Sequence, residues 1–162
     1  MLDASALITF AKNGQLDLLV QVVARRAHVT DEVRGECVSL RTALDATIDT
    51  GDLEPFTISD PDDVAFFARV RTQMDAGEAS AVVAARRLAG TVISDDRDAI
   101  VIGRELLGED RVIGTREVLC LAVGRGLVTP VQAAVHLDTF IRGGAWVPDA
   151  PEGYFVDCVG VP

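Results

Sequence analysis

Four acidic residues of the 162-residue chain have the chemistry of metal ligands and occupy comparable places in the sequence pattern. Asp3, Glu36, Glu78 and Asp96 each stand at the start of a predicted helix, inside one, or at the end of a predicted strand. Carboxylates that cluster without a neighbouring lysine repel one another unless a cation offsets their charge. Hard divalent cations prefer carboxylate oxygens as ligands. If the fold brings these residues together, we therefore expect a metal-dependent enzyme.

The elements that must position these residues follow from the apolar pattern, in which short β-branched runs alternate with helix-like segments. Strands separated by helices predict βαβ crossovers and a mostly parallel central sheet. Because helices dominate, we expect the α/β class and a three-layer α/β/α sandwich. The predicted strands are 28–29, 53–58, 91–94 and 111–113, and the predicted helices are 4–12, 16–23, 31–50, 60–74, 78–88, 98–107, 115–126 and 129–142.

The acidic residues are expected at one edge of this sheet, because ligands bind beyond the carboxyl ends of the strands in open parallel sheets. Asp95 and Asp96 directly follow the third predicted strand, and Asp3 follows a very short extended segment. Glu36 lies about one turn into a helix, and Glu78 lies in the first turn of another, where the helix dipole favours an anion. Each residue alone has an ordinary explanation as a helix cap or a solvated side chain. The order and spacing of the set indicate a site.

Composition limits the possible partners of the protein. A chain of this length predicts one domain, over residues 1–147, followed by a tail over 148–162 that packs on the domain or on a partner subunit. The net charge of −10 means that the overall field does not attract nucleic acid, so an RNA contact requires local arginines and a bound metal. We expect no membrane span and no signal peptide, and hence a cytoplasmic location.

The three cysteines are Cys37, Cys120 and Cys158. Their number is odd and they form no Cys-x-x-Cys pair. This pattern predicts buried, reduced thiols rather than a zinc site or a disulfide framework.

Several segments together resemble the PIN-domain family: LDASALI, VTDEVRGE, GEASAVVAARRLAG and VISDDRDA. The later segment VIGTREVLCLAVGRGLVTP is similar to a subgroup of prokaryotic PIN proteins, and the resemblance extends over residues 2–146. It implies a PIN-like α/β/α fold and metal-dependent hydrolysis of phosphodiester bonds in single-stranded RNA. Many small prokaryotic members are VapC-like toxins, so it also implies a toxin–antitoxin pair with an antitoxin protein as partner, and a homodimer.

The resemblance also implies roles for individual residues. Asp3, Glu36, Glu78 and Asp96 correspond to the acidic quartet that binds Mg²⁺ or Mn²⁺ and carries catalysis. Two further carboxylates and one hydroxyl have lesser roles: Asp98 as an auxiliary metal ligand, Asp95 as a supporting residue and Ser5 as a residue that orients Asp3. Substrate phosphates need arginines at the rim of the site, and those nearest in sequence are Arg34, Arg97 and Arg116.

Two other functions remain open from the residues. A PIN-like binding or scaffold protein with a weak or silent site agrees with the net charge of −10. Another Asp-dependent α/β phosphotransfer protein, such as a response-regulator receiver or a haloacid-dehalogenase phosphatase, also places Asp residues at strand ends. The chain has no Asp-x-Asp pair after its first strand and no clear lysine at a later strand end, which disfavours this class.

Overall fold

Helices and short strands alternate along the chain in the computed structural model, which describes residues 1–23 and 27–160. No helix within these ranges is both long and apolar enough to cross a bilayer. The helices are α1 (Ala4–Lys12), α2 (Leu16–Val23), α3 (Asp31–Glu36), α4 (Arg41–Asp49), α5 (Pro61–Val70), α6 (Ala76–Arg87), α7 (Arg97–Leu107), α8 (Thr115–Gly124) and α9 (Pro130–Arg142). The strands are β1 (Ala27–Thr30), β2 (Leu53–Phe56), β3 (Val92–Ile93) and β4 (Val112–Ile113).

The strands form two parallel pairs, β1 with β2 and β3 with β4, and the N-terminal residues join them. The backbone N–H of Leu2 donates to the carbonyl of His28 in β1, and that of Asp3 donates to the carbonyl of Ile93 in β3, both at 3.0 Å. The spatial order is therefore β2, β1, the N-terminal segment, β3 and β4. This order places Asp3 at the carboxyl end of the central position of a parallel sheet.

Two apolar cores lie on opposite faces of the sheet, because neighbouring residues of an extended segment point to opposite sides. Leu2 and Ile93 belong to the first core, whereas Met1 and Val92 belong to the second. The first core packs α1, α2, α8 and α9 against the sheet, and the second packs α5, α6 and α7. The chain thus has the predicted three-layer α/β/α architecture.

The predicted helix over 31–50 is wrong in its length, because it is divided into α3, a single 3₁₀ turn over Val38–Leu40, and α4. Gly35 weakens the last turn of α3, since glycine has a low helix propensity. Cys37 leaves the helical conformation, with a ψ of 46°, and its side chain is fully buried in the first core. The helix ends where Cys37 turns into the core, so Glu36 is the last residue of α3.

Cysteine pairing also differs from the prediction. Cys120 on α8 and Cys158 in the tail form a disulfide, with their Cα atoms 5.3 Å apart, so the prediction of reduced thiols is wrong for this pair. Their separation of 38 residues carries no pairing motif, and the tail must first fold back over α8. Cys37 is free and buried, as predicted. Phe155 of the tail is buried in the first core, so the tail packs on the domain.

Candidate active site

Asp3 is the most buried of the four predicted acids and is held by two serines. It caps α1, and its Oδ2 accepts hydrogen bonds from Ser5 Oγ at 2.7 Å and from Ser94 Oγ at 2.8 Å. Its Oδ1 is buried and has no hydrogen-bond partner among the described residues. A buried polar atom without a partner loses its hydration without compensation. This oxygen is therefore available to a ligand that replaces water.

The two serines connect Asp3 to the end of β3. Ser5 Oγ accepts from the backbone N–H of Asp95 at 3.0 Å, and Ser94 Oγ accepts from that of Asp96 at 3.1 Å. Ser5 thus lies where its predicted orienting role requires it. Ser94 was not predicted, although a hydroxyl at the carboxyl end of a buried strand is a signal that could have identified it.

Glu36 reaches the start of α6 from the end of α3. Its Oε1 accepts a 2.7 Å hydrogen bond from the backbone N–H of Gly77. A Cβ atom at residue 77 would lie only 2.2 Å from Glu36 Oε2, so this approach requires glycine. Burial raises the pKa of Glu36, and the negative charges of Asp3 and Asp75 add to this rise, whereas the Gly77 hydrogen bond opposes it.

Glu78 and Asp96 lie at the starts of α6 and α7, close enough for the charge of Asp96 to affect Glu78. Glu78 Oε2 accepts from the N–H of Asp75 at 3.2 Å in the capping box of α6. Asp96 caps α7, where its Oδ1 accepts from the N–H groups of Asp98 at 2.7 Å and Ala99 at 3.1 Å. Burial raises the pKa of Glu78 to about 7, and the nearby charges of Asp96 and Asp3 contribute.

A cleft of about 370 Å³ opens beside these two residues. Asp98 lines it as well and is exposed, which places the predicted auxiliary carboxylate at the rim. The lining consists of Arg71, Thr72, Gln73, Met74, Asp75, Glu78, Asp96 and Asp98. The cleft is thus mostly polar and is wide enough for a hydrated ion and a phosphate group.

Hydrogen bonds and the cleft lining connect the four predicted acids. Ser94 links Asp3 to the backbone of Asp96. Glu36 bonds the N–H of Gly77, next to Glu78, and Glu78 and Asp96 line the same cleft. Within the described ranges, however, no three His, Cys, Asp or Glu side chains already stand as a set that could hold one ion. Side-chain rotation or bridging waters are needed, and Mg²⁺ usually retains several of its waters. The unpartnered Oδ1 of Asp3 and the mutual repulsion of the acids fit a bound hard cation.

Asp95 links the end of β3 to the start of α8. Its Oδ1 accepts from the N–H of Thr115 at 2.7 Å, and its Oδ2 accepts from Thr115 Oγ1 at 2.5 Å. The carboxyl group is buried, and this burial raises its pKa. Both oxygens of Asp95 are therefore already satisfied by Thr115, and its supporting role in the site stays a prediction.

Among the described residues, two of the three predicted arginines form ion pairs and the third, Arg97, forms none. Arg34 is bonded to Asp45 at 2.7 Å, and Arg116 is bonded to Glu117 at 2.9 Å. Both are thus engaged by a carboxylate, and their phosphate-binding role stays a prediction. Arg97 is exposed at the first position of α7, directly after Asp96.

Arg71 is an arginine of the cleft that was not among those predicted from the sequence. It is exposed, lines the cleft together with Glu78 and Asp96, and its charge lowers the pKa of Glu36. Its position at the end of α5, just before the turn that leads to Gly77, was the available signal. Its Nη1 donates to the carbonyl of Met74 at 3.2 Å, and it is the arginine among the described residues that lines this cleft.

Comparison with known proteins agrees with this architecture. Residues 1–151 match the family model described as a PIN domain. Neither a curated protein nor a solved structure matched the chain. PIN domains are generally nucleases and typically use divalent metal ions. The match spans nearly all of a chain whose acids gather at the carboxyl edge of a parallel sheet, and it shows that this chain belongs to the PIN-domain family.

Proposed function

We propose that the protein is a metal-dependent endoribonuclease that hydrolyses phosphodiester bonds of single-stranded RNA at the carboxyl edge of its sheet. The observation that carries the proposal is the buried Oδ1 of Asp3, which no described residue satisfies. Burial raises the pKa of two neighbouring acids, Glu36 and Glu78, and the negative charge of Asp3 adds to both rises. A buried carboxylate oxygen without a partner, placed among other acids, destabilises the fold. A bound metal ion of a nuclease explains why such an arrangement is present.

The residues that would hold Mg²⁺ or Mn²⁺ are Asp3, Glu36, Glu78 and Asp96, with Asp98 at the rim. Such an ion supplies a bound water of lowered pKa and offsets the charge that develops on the phosphate. The chain supplies the positioning. Ser5 and Ser94 fix one oxygen of Asp3 and leave the other free, and the N–H of Gly77 holds Glu36. Arg71 contributes a positive charge at the cleft wall.

RNA cleavage by the purified protein in Mn²⁺ tests the proposal, with an end-labelled single-stranded RNA as substrate. Asp3→Asn and Asp96→Asn should abolish cleavage while circular dichroism shows an intact fold, because asparagine also caps helices well. Asp62→Asn is the matched control, since Asp62 is an exposed acid in the first turn of α5. Cleavage by both site variants at the wild-type rate contradicts the proposal.

The biological role that the PIN resemblance supports is that of a toxin in a toxin–antitoxin pair, acting in the cytoplasm as a homodimer restrained by an antitoxin protein. Val131 and Val135 on α9 are 73% and 58% exposed and offer an apolar surface for such contacts. Light scattering measures the oligomeric state, and a mass that stays monomeric at high concentration contradicts the dimer. Growth arrest on expression, reversed by the product of a neighbouring gene, tests the toxin role.

A catalytically silent scaffold is the second candidate, and the lack of three pre-aligned ligands among the described residues favours it. The two functions differ in their response to metal. An ion that binds the folded state at 100 times its Kd stabilises it by about 2.7 kcal/mol. The nuclease is therefore stabilised by Mn²⁺ and returns to its starting melting temperature in excess chelator, whereas the scaffold shows no shift.

A further inference from the structure

A second cleft, of about 350 Å³, shares Asp96 with the acidic cleft. It is lined by Ser5, Thr9, Asp95, Asp96, Arg97 and Trp146. Ser5 is the residue that holds Asp3. The second cleft therefore adjoins the proposed reaction centre, and its lining includes one aromatic and one cationic side chain.

Trp146 is the single tryptophan of the chain, and 66% of it is exposed. An indole ring left in water forgoes the large stabilisation that its burial gives. The ring is not on a free segment, because the residues on both sides are anchored. The N–H of Ala145 donates to the carbonyl of Phe140 at 3.0 Å, and Val147 is buried in the first core. The loop thus presents the indole at a fixed place beside the site.

Arg97 supplies the second element of this cleft. It is exposed, and no ion pair or hydrogen bond engages its guanidinium among the residues that the structure describes. Guanidinium groups match phosphate geometry, and an indole stacks on the face of a nucleobase.

We propose that Trp146 and Arg97 form a subsite for one unpaired nucleotide of an RNA chain, adjacent to the phosphodiester that is cleaved. Trp146 stacks on the base, and Arg97 binds the phosphate of the same nucleotide. The subsite rests on the proposed nuclease function and deepens it, because it accepts only a single-stranded substrate. A base within a duplex has no free face for the indole. The volume of about 350 Å³ suits one nucleotide rather than a folded protein segment.

The single tryptophan makes this subsite directly measurable. The Asp3→Asn protein in Mg²⁺ is titrated with a ten-nucleotide single-stranded RNA and with the same RNA in duplex form, while indole fluorescence is followed. Stacking should quench the fluorescence saturably with the single strand and much less with the duplex. Quenching that is equal for both forms, or absent while a labelled RNA binds by anisotropy, overturns the subsite. Quenching by an added protein partner and not by RNA also overturns it.

Variants separate the two contacts. Trp146→Ala should weaken single-strand binding about tenfold, as expected for loss of one stacked base, whereas Trp146→Phe should keep most of it. Arg97→Ala should also weaken binding and lower the salt dependence by about one phosphate contact. Val64→Ala on α5 is the control for an exposed apolar side chain and should bind as wild type. Unchanged affinity of Trp146→Ala refutes the stacking contact.

Cleavage kinetics distinguish failure of this subsite from failure of the nuclease function. In the wild-type background with Mn²⁺, Trp146→Ala should raise the KM for RNA and leave kcat within about threefold, because stacking contributes mainly to binding. RNA cleavage with an unchanged KM means that the nuclease stands and the subsite falls. Quenching by single-stranded RNA without any cleavage means that the subsite stands and the nuclease falls.

Discussion

Gly77→Ala is a one-methyl substitution that should separate the function of this protein from its stability. The new Cβ would lie 2.2 Å from Glu36 Oε2 and 2.7 Å from Glu36 Cδ. To restore an ordinary contact, the carboxylate must move by more than 1 Å and give up its hydrogen bond to the N–H of residue 77. A displacement of this size in a catalytic group costs about 10²-fold in rate.

The fold should tolerate the same change. Replacing glycine by alanine inside α6 stabilises the helix by about 1 kcal/mol. Loss of one hydrogen bond at the partly exposed Glu36 carboxylate costs about 1 kcal/mol, so the two effects offset each other. For a domain of this size, we expect the melting temperature to change by less than about 4 °C.

The assay compares RNA cleavage in Mn²⁺ with differential scanning fluorimetry for wild type, Gly77→Ala and the matched control Gly35→Ala. Gly35 lies on the neighbouring helix α3, and a Cβ atom there would meet nothing within 4 Å. The control should cleave RNA at close to the wild-type rate. Full activity of Gly77→Ala with an intact fold refutes the argument that the N–H of Gly77 positions Glu36 for catalysis.

Three further substitutions test the charge of Glu78, the hydrogen bonds of Asp95 and the disulfide of the tail. In metal-free protein the pKa of Glu78 is raised to about 7, so the folded state holds a proton more tightly and stability falls as the pH rises from 4.5 to 7. Urea unfolding at pH 5 and pH 8 measures this loss of stability. Glu78→Gln should make the loss smaller by about 1 kcal/mol, a value discounted for the partial exposure of the side chain. A loss of the same size in the variant contradicts the raised pKa of Glu78. Asp95→Ala leaves the N–H and hydroxyl of Thr115 without acceptors, so the free energy of unfolding should drop by about 2 kcal/mol; a calorimetric melting temperature equal to wild type argues against it. Cys158→Ser opens a disulfide that spans 38 residues and should lower the free energy of unfolding by up to about 4 kcal/mol. Reductant should reproduce that loss in the wild type, and insensitivity to reductant speaks against the bond.

Much of the architecture could be predicted because its signals are local. The last helix illustrates this, since Thr129 provides the cap, Pro130 the first residue, and Gly143 the end, so that the predicted range of 129–142 differs by one residue from α9. The parallel sheet likewise follows from alternation of strands and helices. The break after α3 was not predicted, because it depends on burial of Cys37 in a core assembled from distant elements.

The candidate site was predictable in part for a similar reason. Asp3 and Asp96 follow strand-like segments, and in a parallel sheet that position alone brings them to one edge. The arginines were harder to assign, because the partner of an arginine depends on tertiary packing. Arg116 lies 4.9 Å from the centre of the Tyr154 ring, a contact made only when the tail folds back. Proximity in sequence to the acids therefore led to Arg116 as a predicted phosphate ligand, whereas the arginine that lines the acidic cleft is Arg71.

If residues 3, 36, 78 and 96 together bind a divalent cation, paramagnetic broadening by Mn²⁺ should locate that site without any substrate. Two-dimensional amide NMR spectra of the isotope-labelled protein are recorded at substoichiometric Mn²⁺. The amide signals of Ser5, Gly77 and Asp98 should broaden first, and Asp3→Asn should suppress this effect. Broadening that begins instead at acids remote from the site, such as Asp49 and Asp62, or that spreads evenly over the acidic surface, would mean that the four acids do not form a metal site.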